Sequence, residues 1–421
     1  MDTNKQNTIG KSAWLLILVA SLGYFVDAYD LIVASVVRSS AIVELGLAQL
    51  GTPEHKSYAQ LFEYVQSAGI LLGGIMFGIW GDKFGRKKVL YASIAIYSIA
   101  NILNGLLTAS VPSVDIVYCV LRFICGFALA AELSVGIVMI SETMKAKNRG
   151  YGSMIVVSFG VLGCVLAALL FEFGGVHWQT LFLIGGIAGI LLLIFRYSVN
   201  ETTHYLETES QTKRSERGSL TMVLKDKRLL KIFFNSIMLG FPIYFFVSIP
   251  IKFAADYGKE IGLTIKGTIP IIIFYVALSI SDIIANYLSQ VFKSRKKVLY
   301  FYVGLCAVPV FLLHFYPPTT PEQYLYVFSP LMGIASGYWA LLITYTSEQV
   351  GTNIRSTYAT AVPNVVRSLF IPIQLLLTAL QPSFGTSTSV FYIGVLTIIL
   401  ALWGLYSLKE TWGRELNFTE K

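Results

Sequence analysis

The stretch GIWGDKFGRKKVLY, residues 78–91, joins two long apolar runs, and its last six residues return as RKKVLY at 295–300. Two further pairs of strings repeat at nearly the same spacing: Ser141-Glu142 with Arg149 returns as Ser347-Glu348 with Arg355, and Glu201-Thr202 returns as Glu410-Thr411. Three repeats in the same order, each at the end of an apolar run, indicate a duplicated unit. The sequence therefore predicts two related halves.

The composition decides the environment of this chain. Of its 421 residues, 55% are hydrophobic and only 13% are charged. Soluble domains carry about 25% charged residues, so a chain this apolar could not cover a water-facing surface. The composition excludes an ordinary soluble enzyme, a disordered regulator and a nucleic-acid-binding domain. An integral membrane protein is predicted, with the lipid bilayer as its surroundings.

Apolar runs of about 20 residues are long enough to cross a bilayer as helices. Twelve such runs are predicted, at residues 14–37, 58–80, 89–108, 115–140, 151–172, 178–198, 229–250, 268–290, 298–315, 323–346, 357–381 and 387–408. The polar stretch 200–228 divides them six and six, which is typical of a linker between halves. The predicted fold is all-α, with an N-terminal six-helix bundle over 1–199, a cytoplasmic linker over 200–228 and a pseudo-symmetric C-terminal six-helix bundle over 229–421.

The basic residues predict the orientation. With the N-terminus in the cytoplasm, most of the 32 Lys and Arg residues fall on the cytoplasmic side, including both RKK loops. Because basic loops stay in the cytoplasm, both termini are predicted to be cytoplasmic. The predicted location is a bacterial cytoplasmic (inner) membrane, and the predicted protein is a monomer.

The pattern Gly78-x-x-x-Asp82-Lys83-x-Gly85-Arg86-Lys87-Lys88 combines small residues with an acid and a basic cluster. Gly78 and Gly85 allow close backbone approach and a tight turn, and Asp82 can pair with an arginine or cap the start of a neighbouring helix. A basic loop that only sets orientation would explain the lysines alone. The pattern resembles the loop signature of the major facilitator superfamily, whose members have paired six-helix halves. The resemblance covers the whole chain and implies a secondary transporter working by alternating access, not an enzyme.

A conformational gate is predicted where these motifs lie, at the cytoplasmic ends of the helices. Its residues are Gly78, Asp82, Gly85, Arg86, Glu142, Arg149, Glu348 and Arg355. The second copy of the loop lacks the acid and the glycines, so the gate is predicted to be asymmetric.

Ionisable residues inside the apolar runs are the main functional signal. Each costs about 2.5–3.5 kcal/mol at the bilayer centre on insertion scales, so a partner or a wet cavity is expected. Asp27 and Asp30 share one helix face. A carboxylate held between a second acid and an arginine can bind a proton in one conformation and release it in another. A static ion pair that merely orders the helices is the alternative.

The placement of charged residues in the first and fourth runs resembles that of phosphate:proton symporters and of the related sugar-porter-like and organic-acid:proton symporters. The residues are Asp27 and Asp30 in the first run and Arg122 and Glu132 in the fourth. In those proteins the first-span acid is a proton site and the fourth-span arginine is its partner. The resemblance implies proton coupling at these four residues, with the proton gradient as energy source and no cofactor. Residues 130–134 read AAELS rather than the GGDYP of the phosphate family, which favours a different anion.

Arg367 lies midway along the eleventh run. Its planar guanidinium suits carboxylate or phosphate groups, so it favours an anionic substrate; pairing with Asp282 is the alternative. The predicted substrate-binding residues are Arg367, Asn364, Asp282, Tyr338, Trp339 and Arg38. No metal site is predicted.

The predicted function is proton-coupled symport of a small anionic metabolite, such as an organic acid. Stretch 158–164 in the fifth run contains no proline, whereas proton antiporters of the superfamily usually carry a Gly-Pro motif there, which favours symport. The alternatives are uptake of a polycarboxylate siderophore, proton-coupled export of drugs or metabolites and, less favoured, a non-transporting membrane sensor.

Overall fold

The structure is a computed structural model that describes residues 11–144, 149–196, 220–414 and 418–420. Its regular elements are all helical, and the described residues contain no β-strand. The helices are α1 (Lys11–Glu44), α2 (Pro53–Phe84), α3 (Arg86–Gly105), α4 (Val114–Leu129), α5 (Glu132–Thr143), α6 (Arg149–Glu172), α7 (Trp178–Arg196), α8 (Leu220–Lys225), α9 (Lys227–Phe246), α10 (Ala254–Glu260), α11 (Thr268–Val291), α12 (Arg295–Leu305), α13 (Ala307–Phe315), α14 (Pro321–Gln323), α15 (Ser329–Ala335), α16 (Trp339–Ser347), α17 (Arg355–Ser368) and α18 (Phe370–Ser407). Two π-helical turns, Val247–Ile251 and Tyr324–Phe328, follow α9 and α14.

Nine helical stretches within the described residues are long and apolar enough to cross a membrane. The third predicted run, α3, and the fourth, which is divided into α4 and α5, are not among these nine. The last two predicted runs are joined in one stretch, Arg355–Ser407. Gly385 interrupts that stretch with φ 72° and ψ 168°, in the gap where the sequence separates them. The count of twelve stays a prediction.

The predicted linker falls mostly outside the described residues. Its last part is helical, since α8 lies within it and α9 begins at Lys227. Asp226 starts α9 by accepting hydrogen bonds from the backbone N–H groups of Arg228 and Leu229, as a side-chain N-cap does. The boundary at residue 229 therefore lies inside a helix.

Residues 115–140 do not form the continuous helix that the sequence predicts. α4 ends at Leu129 and α5 begins at Glu132. The carbonyl of Ala130, in this break, accepts a hydrogen bond of 2.7 Å from Asn364 Nδ2 on α17. Irregular backbone at membrane depth needs such partners inside the protein, and apolar periodicity along one segment does not show them.

Glycines let α2 and α4 approach closely. A Cβ atom at Gly69 would lie 2.3 Å from the Phe123 carbonyl oxygen, and one at Gly73 would lie 2.0 Å from that of Phe127. The spacing of small residues along the second run predicts tight helix packing, and the structure confirms it.

We call the described residues up to 196 the N-terminal part of the chain and those from 220 onward the C-terminal part. Helices of the two parts pack against each other, α2 against α17 and α6 against α11. We call the end of the molecule that carries the two RKK segments, 86–88 at the start of α3 and 295–297 at the start of α12, the basic end. At the opposite end, loop 45–52 and loop 261–267 border a cavity of about 530 Å³, which we call the vestibule.

Candidate functional site

Two small cavities lie between the two parts of the chain, and Arg367 lines both of them. The larger has a volume of about 30 Å³ and the smaller about 10 Å³. Ligand pockets usually measure about 300–1,000 Å³, so neither cavity is of that size in this conformation. The wall of the larger cavity is mostly apolar and aromatic, and includes Tyr24, Leu31, Cys164, Tyr244, Tyr275 and Trp339.

Arg367 is buried, with 4% of its surface exposed. Its Nη1 donates a 3.3 Å hydrogen bond to Asn364 Oδ1, and its guanidinium carbon lies 5.8 Å from the centre of the Trp339 ring, within cation–π range. Within the described residues, its Nε has no hydrogen-bond partner. The N–H group on Nε is therefore left without an acceptor, while Tyr24 and Tyr244 interact with the rest of the guanidinium.

Asp27 lies fully buried on α1, and its charge interacts with that of Arg367 across the two parts of the chain. The charge of Asp30, one turn further along, interacts with those of Asp27 and Arg122. Arg122 Nη2 donates to Asn101 Oδ1 at 3.3 Å. The structure thus brings the first-run acids and the fourth-run arginine into one buried group that extends from the cavity into the N-terminal helices.

Glu132 is buried in the first turn of α5. A carboxylate in this position interacts favourably with the positive end of its own helix. Glu132 stands where the phosphate family has Asp, so the buried acid of the fourth run is kept in this chain.

Asp282 does not pair with Arg367. Its two carboxylate oxygens accept hydrogen bonds of 3.1 and 3.3 Å from the backbone N–H of Ala340, in the first turn of α16. Asn286 Nδ2 also lies 3.4 Å from its Oδ1. The ion-pair alternative for Arg367 is wrong because Asp282 instead stabilises the helix start that follows the break at 336–338.

The aromatic pair in the tenth run divides between two roles. Trp339 lines the larger central cavity, whereas Tyr338 lines neither of the two central cavities. The Tyr338 hydroxyl donates to the Leu239 carbonyl oxygen at 3.0 Å and is fully buried. Its hydrogen bond connects the break before α16 to α9.

A buried carboxylate, Glu63, is shared by two cations that line the vestibule, Arg38 and Lys252, at the part of the cavity wall that we call the vestibule floor. Lys252 Nζ lies 2.8 Å from Glu63 Oε2, and Arg38 Nη1 lies 3.5 Å from Glu63 Oε1. Ser35 Oγ donates to the same Oε1 at 2.5 Å. Arg38 therefore lies at the vestibule rather than beside Arg367.

Sequence reasoning missed two members of this group. Glu63 is an acid inside the second predicted run, so the signal that identified Asp27 would have found it. Lys252 lies just beyond the seventh predicted run, and no local pattern marks it. Nor does any local pattern select Tyr24, Tyr244 and Tyr275 from the other aromatic residues.

At the basic end, Asp82 contacts the first turn of α17. It accepts hydrogen bonds from Ser356 N at 3.2 Å and Thr357 N at 2.8 Å, and pairs with Arg86 Nη2 at 3.2 Å. A Cβ atom at Gly78 would lie 3.0 Å from Thr357 Cα. Gly85 has φ 101°, a conformation that favours glycine.

The second copy of the loop makes different contacts. Arg295 Nη2 pairs with Glu348 Oε1 at 3.4 Å, and Arg355 Nη2 donates to the Val350 carbonyl oxygen at 3.4 Å. All four residues lie in the C-terminal part of the chain. The side chains of Glu142 and Arg149, also predicted for the gate, lie outside the described residues.

Comparison with known families gives a match to the Major Facilitator Superfamily over residues 20–373. The chain belongs to the Major Facilitator Superfamily. The predicted family is confirmed, and so is the prediction of a multi-pass membrane transporter rather than an enzyme. The orientation of the termini stays a prediction.

Relatives within the superfamily align over most of the chain. The niacin transporter NiaP of Acinetobacter baylyi is 25% identical, over 97% of this chain and 97% of that protein. The cis,cis-muconate transport protein of the same organism is 25% identical, over 87% of each. The proton:xylose symporter XylE of E. coli superposes with a TM-score of 0.74 at 16% identity, over 96% of this chain and 97% of its own, which shows the shared fold.

Proposed function

We propose that this protein takes up a small organic carboxylate together with protons by alternating access. The observation that carries this proposal is the position of Arg367. It is buried among aromatic side chains where the two parts of the chain meet, and its Nε has no hydrogen-bond partner among the described residues. A guanidinium in such a place binds a carboxylate through its planar fork.

The cavity wall supports a flat, unsaturated carboxylate as substrate. Tyr24, Tyr244, Tyr275 and Trp339 surround the space beside the guanidinium. Aromatic rings pack well against a planar molecule. The relatives named for niacin and for cis,cis-muconate fit this class, because both compounds are unsaturated carboxylic acids.

The acids of α1 supply the coupling. Asp27 interacts with Arg367 in the absence of a substrate. When a substrate carboxylate engages Arg367, Asp27 loses part of this partnership and takes up a proton. The substrate carboxylate is then paired with Arg367, and the proton neutralises Asp27. Carboxylate and proton cross together because no unpaired charge remains in the low-dielectric core. Asp30, Arg122 and Glu132 lie in the same N-terminal core and complete the proposed proton-coupling set.

The two ends of the molecule are in different states. The basic end is held closed by Asp82 against α17, whereas the vestibule is open. With the predicted cytoplasmic termini, twelve spans and bacterial inner membrane, this conformation faces outward. The gate residues of the basic end would separate when the transporter turns inward.

A ligand screen tests the substrate class. Nicotinate is expected to raise the unfolding temperature of the purified protein, because a ligand that binds the native state stabilises it. Neutral nicotinamide and xylose are expected to have little effect. Arg367→Lys keeps the charge but loses the fork, so it should weaken nicotinate binding about tenfold or more. Arg228→Lys, at the surface, is the matched control.

An equal response to nicotinate and nicotinamide would overturn the carboxylate assignment. So would an unchanged nicotinate affinity in a folded Arg367→Lys protein. Phosphate and muconate belong in the same screen, since they separate an inorganic anion and a dicarboxylate from a monocarboxylate.

A further inference from the structure

The vestibule is rich in positive charge. Four Lys and Arg side chains line it against two carboxylates: the cations are Arg38, Lys56, Lys252 and Lys259, and the acids are Asp256 and Glu260. A concave site with one prevailing charge concentrates ligands of the opposite charge. The excess of cations therefore favours anions in this cavity.

Cations also outnumber carboxylates at the vestibule floor. Arg38 and Lys252 share Glu63, so two cations face one carboxylate. Arg38 is 8% exposed and Glu63 is 3% exposed. Arg38 Nε has no hydrogen-bond partner among the described residues. A second carboxylate at this point would neutralise the remaining charge and satisfy the guanidinium.

An apolar platform lies beside these cations. The Arg38 guanidinium carbon is 4.1 Å from the centre of the Phe253 ring. Phe253 in turn stacks on Phe370, with ring centres 5.8 Å apart and planes 29° apart. The floor therefore offers both a cationic group and a flat apolar surface, as the central cavity does.

Lys252 connects the vestibule to the central site. It lines the vestibule together with Arg38, and it lines the smaller central cavity together with Glu63 and Arg367. The three cations thus follow one another along a path from the vestibule to the aromatic cavity. Glu63 lies beside the middle of that path.

The backbone that carries Lys252 is irregular. Lys252 follows the π-helical turn Val247–Ile251. The Ser248 carbonyl oxygen in this turn accepts a 2.6 Å hydrogen bond from Gln374 Nε2, and the Tyr324 hydroxyl donates to Pro250 O. Such π-turns are frequent at functional sites. Here the turn places Lys252 against Glu63 of α2, so the ion pair also ties the two parts of the chain together.

We propose that Arg38 and Lys252 form an outer carboxylate site, separate from Arg367, which Glu63 occupies as an internal competitor in this conformation. An incoming carboxylate binds Arg38 first, then replaces Glu63 on Lys252. This exchange releases the ion pair between α2 and the end of the π-turn and opens the way to Arg367. The site rests on the proposed function for the identity of its carboxylate, and on the vestibule geometry for its existence.

Binding of nicotinate to an Arg367→Met protein tests this site, because the central site is then disabled. Residual, weaker binding is expected, which Lys252→Met or Arg38→Met reduces about tenfold or more. Glu63→Gln removes the competing carboxylate and should strengthen the residual binding about fivefold or more. Lys56→Met, on the same cavity but not paired with Glu63, should change it less than about threefold.

Arg38→Lys is a control for misfolding of the methionine variants. It keeps the positive charge, so it should retain nicotinate binding better than Arg38→Met. Complete loss of nicotinate binding in folded Arg367→Met protein would overturn the outer site. So would a Glu63→Gln variant that binds nicotinate no better, or an equal response to chloride or to nicotinamide. Failure of the proposed function would give a different result. Arg367→Lys would then leave nicotinate affinity unchanged, while nicotinate binding would still be weakened by Arg38→Met and Lys252→Met.

Discussion

Asp82 holds Thr357 by two hydrogen bonds to one carboxylate oxygen, with Oδ2 2.8 Å from the Thr357 backbone nitrogen and 2.7 Å from its Oγ1. The other oxygen accepts from Ser356 N and pairs with Arg86. A negative charge at the first turn of α17 is stabilised by the helix dipole. The loop motif of the N-terminal part thereby holds α17 of the C-terminal part at the basic end.

Replacing Asp82 by Asn is expected to loosen this contact. The amide keeps one acceptor but loses the charge, and hydrogen bonds to charged groups contribute about 1.5–3 kcal/mol each. The first turn of α17 should then exchange its amide hydrogens faster, about tenfold for each 1.4 kcal/mol lost. Hydrogen–deuterium exchange of residues 355–360 measures this.

Asp115→Asn is the matched control for the Asp82 experiment. Asp115 is also an acid in the first turn of a helix, but the helix is its own, α4, rather than one from the other part of the chain. Equal protection of residues 355–360 in both variants and the parent protein would show that Asp82 does not hold the basic end closed.

A methyl group at Gly74 is expected to separate α2 from α17. The added Cβ would lie 2.4 Å from the Cβ of Asn364, which bonds both Ala130 and Arg367. Overpacking of this kind costs about 1–3 kcal/mol. Gly74→Ala should lower the unfolding temperature and the nicotinate affinity together.

Gly304→Ala provides the comparison, since no atom lies within 4 Å of a Cβ at that position. It should leave nicotinate binding unchanged and should not lower the unfolding temperature, because Ala is favoured over Gly inside a helix. A Gly74→Ala protein as stable and as competent in binding as Gly304→Ala would show that the contact with Asn364 is not tight in solution.

Much of the fold follows from the sequence, because apolar run length, small-residue spacing and the repeated loop are local signals. The interruptions do not follow. The chain breaks near Ala130 and near Tyr338, and in each case the broken backbone is satisfied by a side chain from another helix, Asn364 or Asp282. Partners so distant along the chain leave no trace in the periodicity of either segment.

The site was predictable in its residue types and less so in its pairings. Buried ionisable residues mark Asp27, Arg122 and Arg367 directly. Which acid lies near which cation depends on how each helix is rotated about its axis. In the structure the charge of Arg367 interacts with that of Asp27, whereas Asp282 accepts a hydrogen bond from the backbone N–H of Ala340. Lys252 gains its role from the π-turn that precedes it, and π-turns have no dependable sequence pattern.

Glu410 is expected to make stability depend on pH. It accepts hydrogen bonds from the backbone N–H groups of Arg295 and Lys296, at the start of α12. Burial raises the pKa of this carboxyl, but the hydrogen bonds from Ser294, Trp412, Arg295 and Lys296 outweigh burial and hold the pKa below its usual value of 4.5. Stability from this group is therefore complete above about pH 4.5 and is lost as the pH falls through the lower folded-state value.

Glu410→Gln should accordingly unfold at a lower temperature than the parent protein at about pH 7, with a smaller difference at about pH 3. Glu322→Gln, at an exposed acid in the first turn of α14, should show no such convergence. A constant difference between Glu410→Gln and the parent across this range would mean that the carboxylate does not stabilise α12.

Asp27→Asn is expected to uncouple transport from protons. The amide cannot carry a proton across, so nicotinate should no longer accumulate in proteoliposomes under an imposed pH gradient, and its internal concentration should stop at about the external one. Exchange of internal for external nicotinate needs no net proton movement and should stay within about threefold of the parent rate. Asp256→Asn, at an acid of the vestibule, should keep both activities. Accumulation by Asp27→Asn equal to the parent would remove Asp27 from the coupling mechanism, whereas loss of exchange as well would place it in substrate binding beside Arg367.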